Sequence, residues 1–179
     1  LIERALKIWK LHNPKKGTKF YLFCGFRLTE HSHERFYKDI WELFQRIKLL
    51  MSYGCVGYVM RHEDYKKYKI SNLYIQIARW CNQQQFYKKM SFWEFVYRNQ
   101  SYWEEHTLHN TDRPQLKTYE EFEADCNSGY YGKGKGQIKM CLPLQTVVRT
   151  LEKFPEHKEE LLEMFNYKMA NLINPKLWE

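Results

Sequence analysis

Glycine and proline are sparse in this chain: 8 and 5 among 179 residues. That excludes collagen-like and low-complexity linker classes. No apolar run approaches the roughly 20 residues that a membrane-spanning helix needs. Nothing at the N-terminus reads as a signal peptide. Metal-ligand spacings such as Cys-x-x-Cys or His-Glu-x-x-His are absent, so no complete metal site is expected within the chain. Cysteines number five, at 24, 55, 81, 126 and 141; the count is odd and no two are close in sequence. A secreted disulfide framework is thereby excluded, and reduced, mostly buried thiols in a cytoplasmic protein are expected.

Aromatic residues and positive charge are plentiful. Aromatics make up 17% of the chain, with 14 Tyr and 6 Trp, and the formal net charge is +8. Tyr and Trp carry a polar tip on an apolar body and suit the rim of a core or a contact surface. A basic balance favours polyanions such as nucleic acid, nucleotide phosphates or an acidic partner. The chain is 44% hydrophobic and 28% charged, a globular composition.

Apolar residues at 2, 5, 6, 8, 9 and 11 predict a first helix. Asn13-Pro14-Lys15-Lys16-Gly17 stops it. Residues 20–26 form a short continuous apolar run, read as a parallel strand buried on both faces. Residues 33–52 carry the clearest helical stripe, closed by Gly54 as a C-terminal cap. A second strand is predicted over 55–60, and residues 27–54 are long enough for a parallel crossover through a helix. Residues 73–82 read as helix again. Ser91-Phe92-Trp93-Glu94 and Thr118-Tyr119-Glu120-Glu121 are capping boxes. Two further helices are expected over 142–154 and 156–172, split at Pro155.

The expected fold is therefore α/β: a partial parallel (β/α) barrel half over residues 1–99, with a mostly helical extension over 100–179. A boundary near 99–117 is marked by the polar run Asn110-Thr111-Asp112-Arg113-Pro114. Between 128 and 136 lies a flexible Gly/Lys-rich loop. Its Lys133 and Lys135 are candidate anion ligands beside backbone N–H groups, although neither the P-loop ending nor the dinucleotide glycine spacing is present.

Ligands of parallel sheets sit at the carboxyl ends of the strands. For the first strand those residues are Cys24, Gly25, Phe26 and Arg27; for the second they are Met60, Arg61 and His62. Gly25 would admit a ligand close to the backbone. Arg27 or Arg61 could pair with a carboxylate or phosphate. Core packing is the competing reading for Cys24, Phe26 and Met60. Arg79 either binds an anion or pairs with a carboxylate, while its neighbour Trp80 packs on the sheet. Tyr65-Lys66-Lys67-Tyr68-Lys69 reads either as a solvated loop or as a stacking and charge contact for nucleic acid. His31-Ser32-His33 resembles the paired histidines of rolling-circle nucleases, but it also suits a helix start with Ser32 as N-cap and Glu34 at the positive end of the dipole.

Residues 20–95 resemble the C-terminal half of a radical SAM protein family of bacteria and their phages. The resemblance follows Cys24-Gly25-Phe26-Arg27-Leu28-Thr29, then Leu49-Leu50-Met51-Ser52-Tyr53-Gly54, then Tyr58-Val59-Met60, then Ala78-Arg79-Trp80-Cys81-Asn82 with Phe86 and Lys88 after it. It covers less than half of the chain. It implies a partial parallel barrel, a [4Fe-4S] cluster on a Cys-x-x-x-Cys-x-x-Cys loop, and reductive cleavage of S-adenosylmethionine to a 5′-deoxyadenosyl radical. Two departures stand out. The cysteine loop is absent from this sequence, and Arg61-His62-Glu63 follows Met60 where the family tends to have Pro. The resemblance thus implies an upstream half of the same protein as the main partner, carrying the cluster, and a fragment that is inactive alone. The alternative expectation is a basic α/β nucleic-acid-binding protein, complete as it stands. A third is a small α/β interaction module that holds a protein partner.

Overall fold

A computed structural model of the chain describes residues 1–14, 17–108 and 115–174. Lys15, Lys16 and the polar run at 110–114 lie outside the described residues. The fold is mixed α/β and divides into two compact units, one of residues Leu1–Ser91 with Tyr167–Glu179 and the other of Phe92–Asn166.

In the first unit, helix α1 (Ile2–His12) precedes strand β1 (Lys19–Cys24), helix α2 (His33–Ser52) and strand β2 (Val56–Arg61). Two short helices follow, α3 (Asn72–Cys81) and α4 (Gln84–Lys89). The strands pair in parallel, with Tyr21 opposite Tyr58 and Phe23 opposite Met60. The crossover is α2, as the strand-helix-strand spacing requires. Its stripe of Phe36, Ile40, Leu43, Phe44, Ile47, Leu50 and Met51 is buried. Each such side chain contributes about 1.5–3 kcal/mol relative to exposure. The helix ends in a left-handed turn at Gly54 (φ 62°). Gly54 N–H donates to Met51 C=O at 3.0 Å and Cys55 N–H to Leu50 C=O at 2.9 Å, so two of the terminal carbonyls find partners.

Burial along β1 alternates, contrary to the expectation of a strand covered on both faces. Leu22 and Cys24 are buried, whereas Tyr21 is 63% and Phe23 49% exposed. On β2 the same alternation buries Val59 and leaves Met60 39% exposed. The cause is one-sided packing: side chains alternate across a strand, and the inner set of both strands faces the helical layer. Tyr21 and Tyr58 meet edge to face on the other side at 5.7 Å, with Lys19 Nζ 5.3 Å above the Tyr58 ring.

The two edges of this sheet differ. Thr18 C=O accepts from Val56 N–H and Cys24 C=O from His62 N–H, so even-numbered residues of β1 face β2. Lys19, Tyr21 and Phe23 therefore turn their peptide groups to the outer edge, where no strand pairs among the described residues. The Phe23 carbonyl there takes a side-chain donor, Arg46 Nη1 at 3.0 Å. On the outer edge of β2, Asn82 Oδ1 accepts from Val59 N–H at 2.7 Å and Asn82 Nδ2 donates to Val59 C=O at 3.1 Å.

The second unit is helical: α5 (Phe92–Leu108), α6 (Tyr119–Asn127), α7 (Leu142–Lys153) and α8 (Lys158–Phe165). The expected division at residue 99 falls inside α5, which runs unbroken from Phe92. The capping box at Thr118 is present, with Glu121 N–H on Thr118 Oγ1 and Thr118 N–H on Glu121 Oε2. Trp93, Phe122 and Tyr131 stack through the core, with Trp93 and Phe122 centroids 5.6 Å apart and Phe122 and Tyr131 5.2 Å apart. Residues 128–136 close on themselves. Gln137 Oε1 accepts from Gly134 N–H at 2.7 Å, and Gln137 Nε2 donates to Gly129 C=O at 3.0 Å.

The single helix expected over 156–172 is broken. A 3-10 turn spans Pro155–His157, α8 stops at Phe165, and α9 (Met169–Leu172) belongs to the first unit. Asn166 Nδ2 bonds back to Leu162 C=O at 3.0 Å, which ends the helix. Tyr167 then packs on Phe44 of α2, with centroids 6.4 Å apart.

Candidate functional site

Both strands end on a cluster that contains the residues expected there. Cys24 is fully buried, with Sγ 3.7 Å from the Met60 carbonyl. Burial, reinforced by the Asp39 charge, pushes its thiol up to about 12, so it stays protonated near neutral pH. Gly25 turns the chain at φ 79° and gives its N–H to Asp39 Oδ2 at 2.8 Å. The close approach at Gly25 is made by Tyr65: a Cβ at Gly25 would lie 2.6 Å from the Tyr65 Cβ. Phe26 stacks on His62, centroids 4.6 Å apart at 26°. Arg27 adopts φ 52°, uncommon for a residue with a side chain, and its N–H donates to Asp64 Oδ2 at 3.0 Å.

Asp64 is the hub of this loop. Besides Arg27 N–H it accepts from Lys67 Nζ at 2.5 Å, and its own N–H donates to His62 Nδ1 at 3.3 Å. The Lys67 hydrogen bond first, helped by the Arg27 N–H and nearby positive charge, holds its carboxyl below the usual Asp range against the opposing cost of desolvation. The result fixes His62 under Phe26 and sets the first strand's exit loop against the second's. Neither Asp64 nor Asp39 was among the sequence candidates. The signal for Asp39 lay in the helical stripe of α2, where a carboxylate precedes Ile40 at its edge. Asp39 Oδ2 accepts a second donor, Tyr74 OH at 2.6 Å, and Tyr74 is fully buried.

Arg61 and Arg79 come together. Both line a small cleft of about 230 Å³ with Ala78, Asn82 and Gln83. The Arg61 guanidinium lies 4.9 Å over the Tyr65 ring, so its charge is layered on an aromatic face. Trp80 is buried as expected and donates Nε1–H to Met90 C=O at 3.0 Å. The Asn of the Ala-Arg-Trp-x-Asn segment is Asn82, whose amide holds β2's edge rather than a ligand. Beside this site, Phe23, Phe26, Arg35, Asp39, Trp41 and Arg46 line an open groove of about 580 Å³.

Other sequence candidates lie elsewhere. His33 Nδ1 is 2.9 Å from Tyr68 OH, and His31 Nε2 is 3.3 Å from Glu30 Oε1. Ser32 stands at the start of α2 but accepts from Thr29 N–H at 2.8 Å instead of capping the helix. Within Tyr65-Lys66-Lys67-Tyr68-Lys69, Tyr68 is buried and stacks on Phe36 at 4.6 Å, which gives that segment a structural anchor. Lys133 and Lys135 belong to the second unit. Lys133 lines a groove there and Lys135 does not.

The residues present do not fit an iron–sulfur cluster. Cluster ligands are thiolates gathered in one loop, whereas Cys24, Cys55 and Cys81 are buried singly on β1, before β2 and at the end of α3. Burial raises the Cys81 thiol as well as that of Cys24. For the carboxylate and adenine of S-adenosylmethionine the chain does offer suitable groups, Arg61 with Arg79 and the Phe26–His62 stack. No helix among the described residues is long and apolar enough to cross a membrane. Comparison with family models, curated proteins and solved structures returns no match to this chain.

Proposed function

We propose that this chain is the C-terminal part of a radical SAM enzyme and supplies one wall of the pocket for S-adenosylmethionine and its substrate. The observation that carries the reading is the one-sided, one-edged sheet. Parallel sheets are ordinarily covered on both faces. Here two sequential parallel strands have helices on one face and expose Tyr21, Phe23 and Met60 on the other. The edge of β2 is sealed by Asn82, and that of β1 lacks a strand partner among the described residues. A last pair of strands in an open, partial barrel has this arrangement: the sheet grows only on the β1 side and the exposed face lines the lumen. The motif order over residues 20–95 supports the same reading.

In this assignment Met60 faces the cofactor from the open face, with Phe26, Arg27 and His62 at the strand ends, while Arg61, the last residue of β2, stands at the rim on the α3 side with Arg79 as a second cation beside it. The cluster ligands would come from an upstream half-barrel that pairs with β1. Anaerobic reconstitution of the full-length protein with iron and sulfide tests the proposal. Charge-transfer absorbance of a [4Fe-4S] cluster is expected; a colourless protein after reconstitution would sink it.

A second reading rests on a different observation. A cation lies over an aromatic of the open face, Lys19 on Tyr58, beside the exposed Tyr21 and Phe23 rings. Such a face stacks bases and neutralises phosphates. In this reading the chain is a basic α/β nucleic-acid-binding protein. It predicts oligonucleotide binding that weakens steeply as salt rises, and absence of binding at low salt removes it.

A further inference from the structure

We propose that the second unit carries its own binding groove for single-stranded nucleic acid. The groove holds about 990 Å³ between α5, the closed glycine loop and α7. It is lined by Trp103 of α5, Lys133 of the loop, Lys139, and Leu142, Arg149 and Glu152 of α7. Three cations thus face one carboxylate. Lys133, Lys139 and Arg149 are exposed and form no ion pair among the described residues, so their charges are available to a polyanion.

Trp103 presents an indole that is 47% exposed, and Leu142 is 52% exposed. A wide π surface beside separated cations suits a base stacked on the ring with flanking phosphates on the lysines and Arg149. An acidic peptide would use the cations but would leave the aromatic wall without a matching partner. The groove's floor is held rigidly from beneath. Gln100 Oε1 accepts Cys141 N–H at 2.7 Å and Gln100 Nε2 donates to Glu104 Oε1 at 2.8 Å and toward Lys139 C=O at 3.3 Å. Tyr131 OH also donates to Glu104 Oε1, at 3.0 Å. Gln100 and Glu104 are buried, so the residues that present Lys139 and start α7 are tied to the core. The closed loop fixes Lys133 in the same way and leaves Lys135 outside the groove.

This site holds whether or not the first unit is a barrel wall, because every residue in it belongs to the second unit. The test is fluorescence anisotropy of a labelled oligothymidine roughly ten nucleotides long, titrated with the full chain at low salt. Trp103→Ala is expected to weaken binding about tenfold or more, and Trp103→Phe to restore most of it. Arg149→Glu with Lys139→Glu is expected to weaken binding and flatten its salt dependence. Lys135→Glu serves as the charge control outside the groove, and circular dichroism checks that each variant is folded. The proposal is overturned if folded Trp103→Ala and the double charge variant bind like wild type. It is equally overturned if Lys135→Glu costs as much as the groove variants, if polyglutamate competes as well as the oligonucleotide, or if Tyr21→Ala alone abolishes binding.

Discussion

Asn82 takes both peptide groups of Val59, accepting its N–H at 2.7 Å and donating to its C=O at 3.1 Å. One side-chain amide thus stands where a neighbouring strand would otherwise pair, and β2 ends the sheet. Asn82→Ala leaves a donor and an acceptor of a buried residue without partners, an expected loss of about 2–3 kcal/mol in urea unfolding. A loss within about 0.5 kcal/mol of wild type would show that solvent replaces the amide at no cost.

Gly54 occupies the left-handed position after α2 and aligns the Met51 and Leu50 carbonyl bonds. Gly54→Ala keeps the contacts but forces a Cβ into that region, with an expected cost of about 1–2 kcal/mol. Unchanged thermal stability would mean that the turn relaxes to another geometry.

Stability should also report Asp64 through pH. Its carboxyl is held below the usual value mainly by Lys67, then by Arg27 N–H. A depressed folded-state pKa stabilises the fold above the unfolded value of about 3.9, and that contribution is lost as pH falls through the folded-state value. Asp64→Asn is expected to be less stable than wild type at neutral pH, with the gap closing below about pH 4. Denaturant titrations at several pH values check this; a gap constant into acid would contradict it.

Thiol labelling separates core cysteines from accessible ones. Cys24, Cys55 and Cys81 are buried, and Cys126 and Cys141 are half-buried. Burial pushes the Cys24 thiol up to about 12, far above the pH of a labelling reaction. Iodoacetamide at pH 8 followed by mass spectrometry is expected to modify Cys126 and Cys141 first. Early modification of Cys24 would mean that the strand end opens readily.

The span of α2 was legible from sequence, because apolar side chains recur at helical spacing from Phe36 to Met51, although Trp41 of that periodicity is exposed and Leu43 joins the buried stripe. Both strands were also visible as short apolar runs. Their one-sided burial was not, since Phe20-Tyr21-Leu22-Phe23-Cys24 has no polar alternation and its exposed members are aromatic. At the site, Arg61 and Arg79 were singled out separately, and only the fold places them on one cleft. Asp39 and Asp64 escaped notice, and Asn82 stood out only as part of the Ala-Arg-Trp-x-Asn motif, because each acts on a backbone group far away in sequence. The tail was misread for a local reason: residues 156–172 have continuous helical character, yet Asn166 ends α8 and Tyr167 joins the other unit.

The account's central claim is that the open face carrying Phe23 and Met60 lines a radical SAM pocket, with Arg61 at its rim where β2 ends. Its most direct test is chromatography of S-adenosylmethionine incubated with the reconstituted full-length protein and dithionite. The account predicts 5′-deoxyadenosine, with a yield that drops about tenfold or more in Arg61→Ala through loss of a charged contact. A protein that binds a cluster yet yields no 5′-deoxyadenosine, or an Arg61→Ala variant that matches wild type, would contradict it.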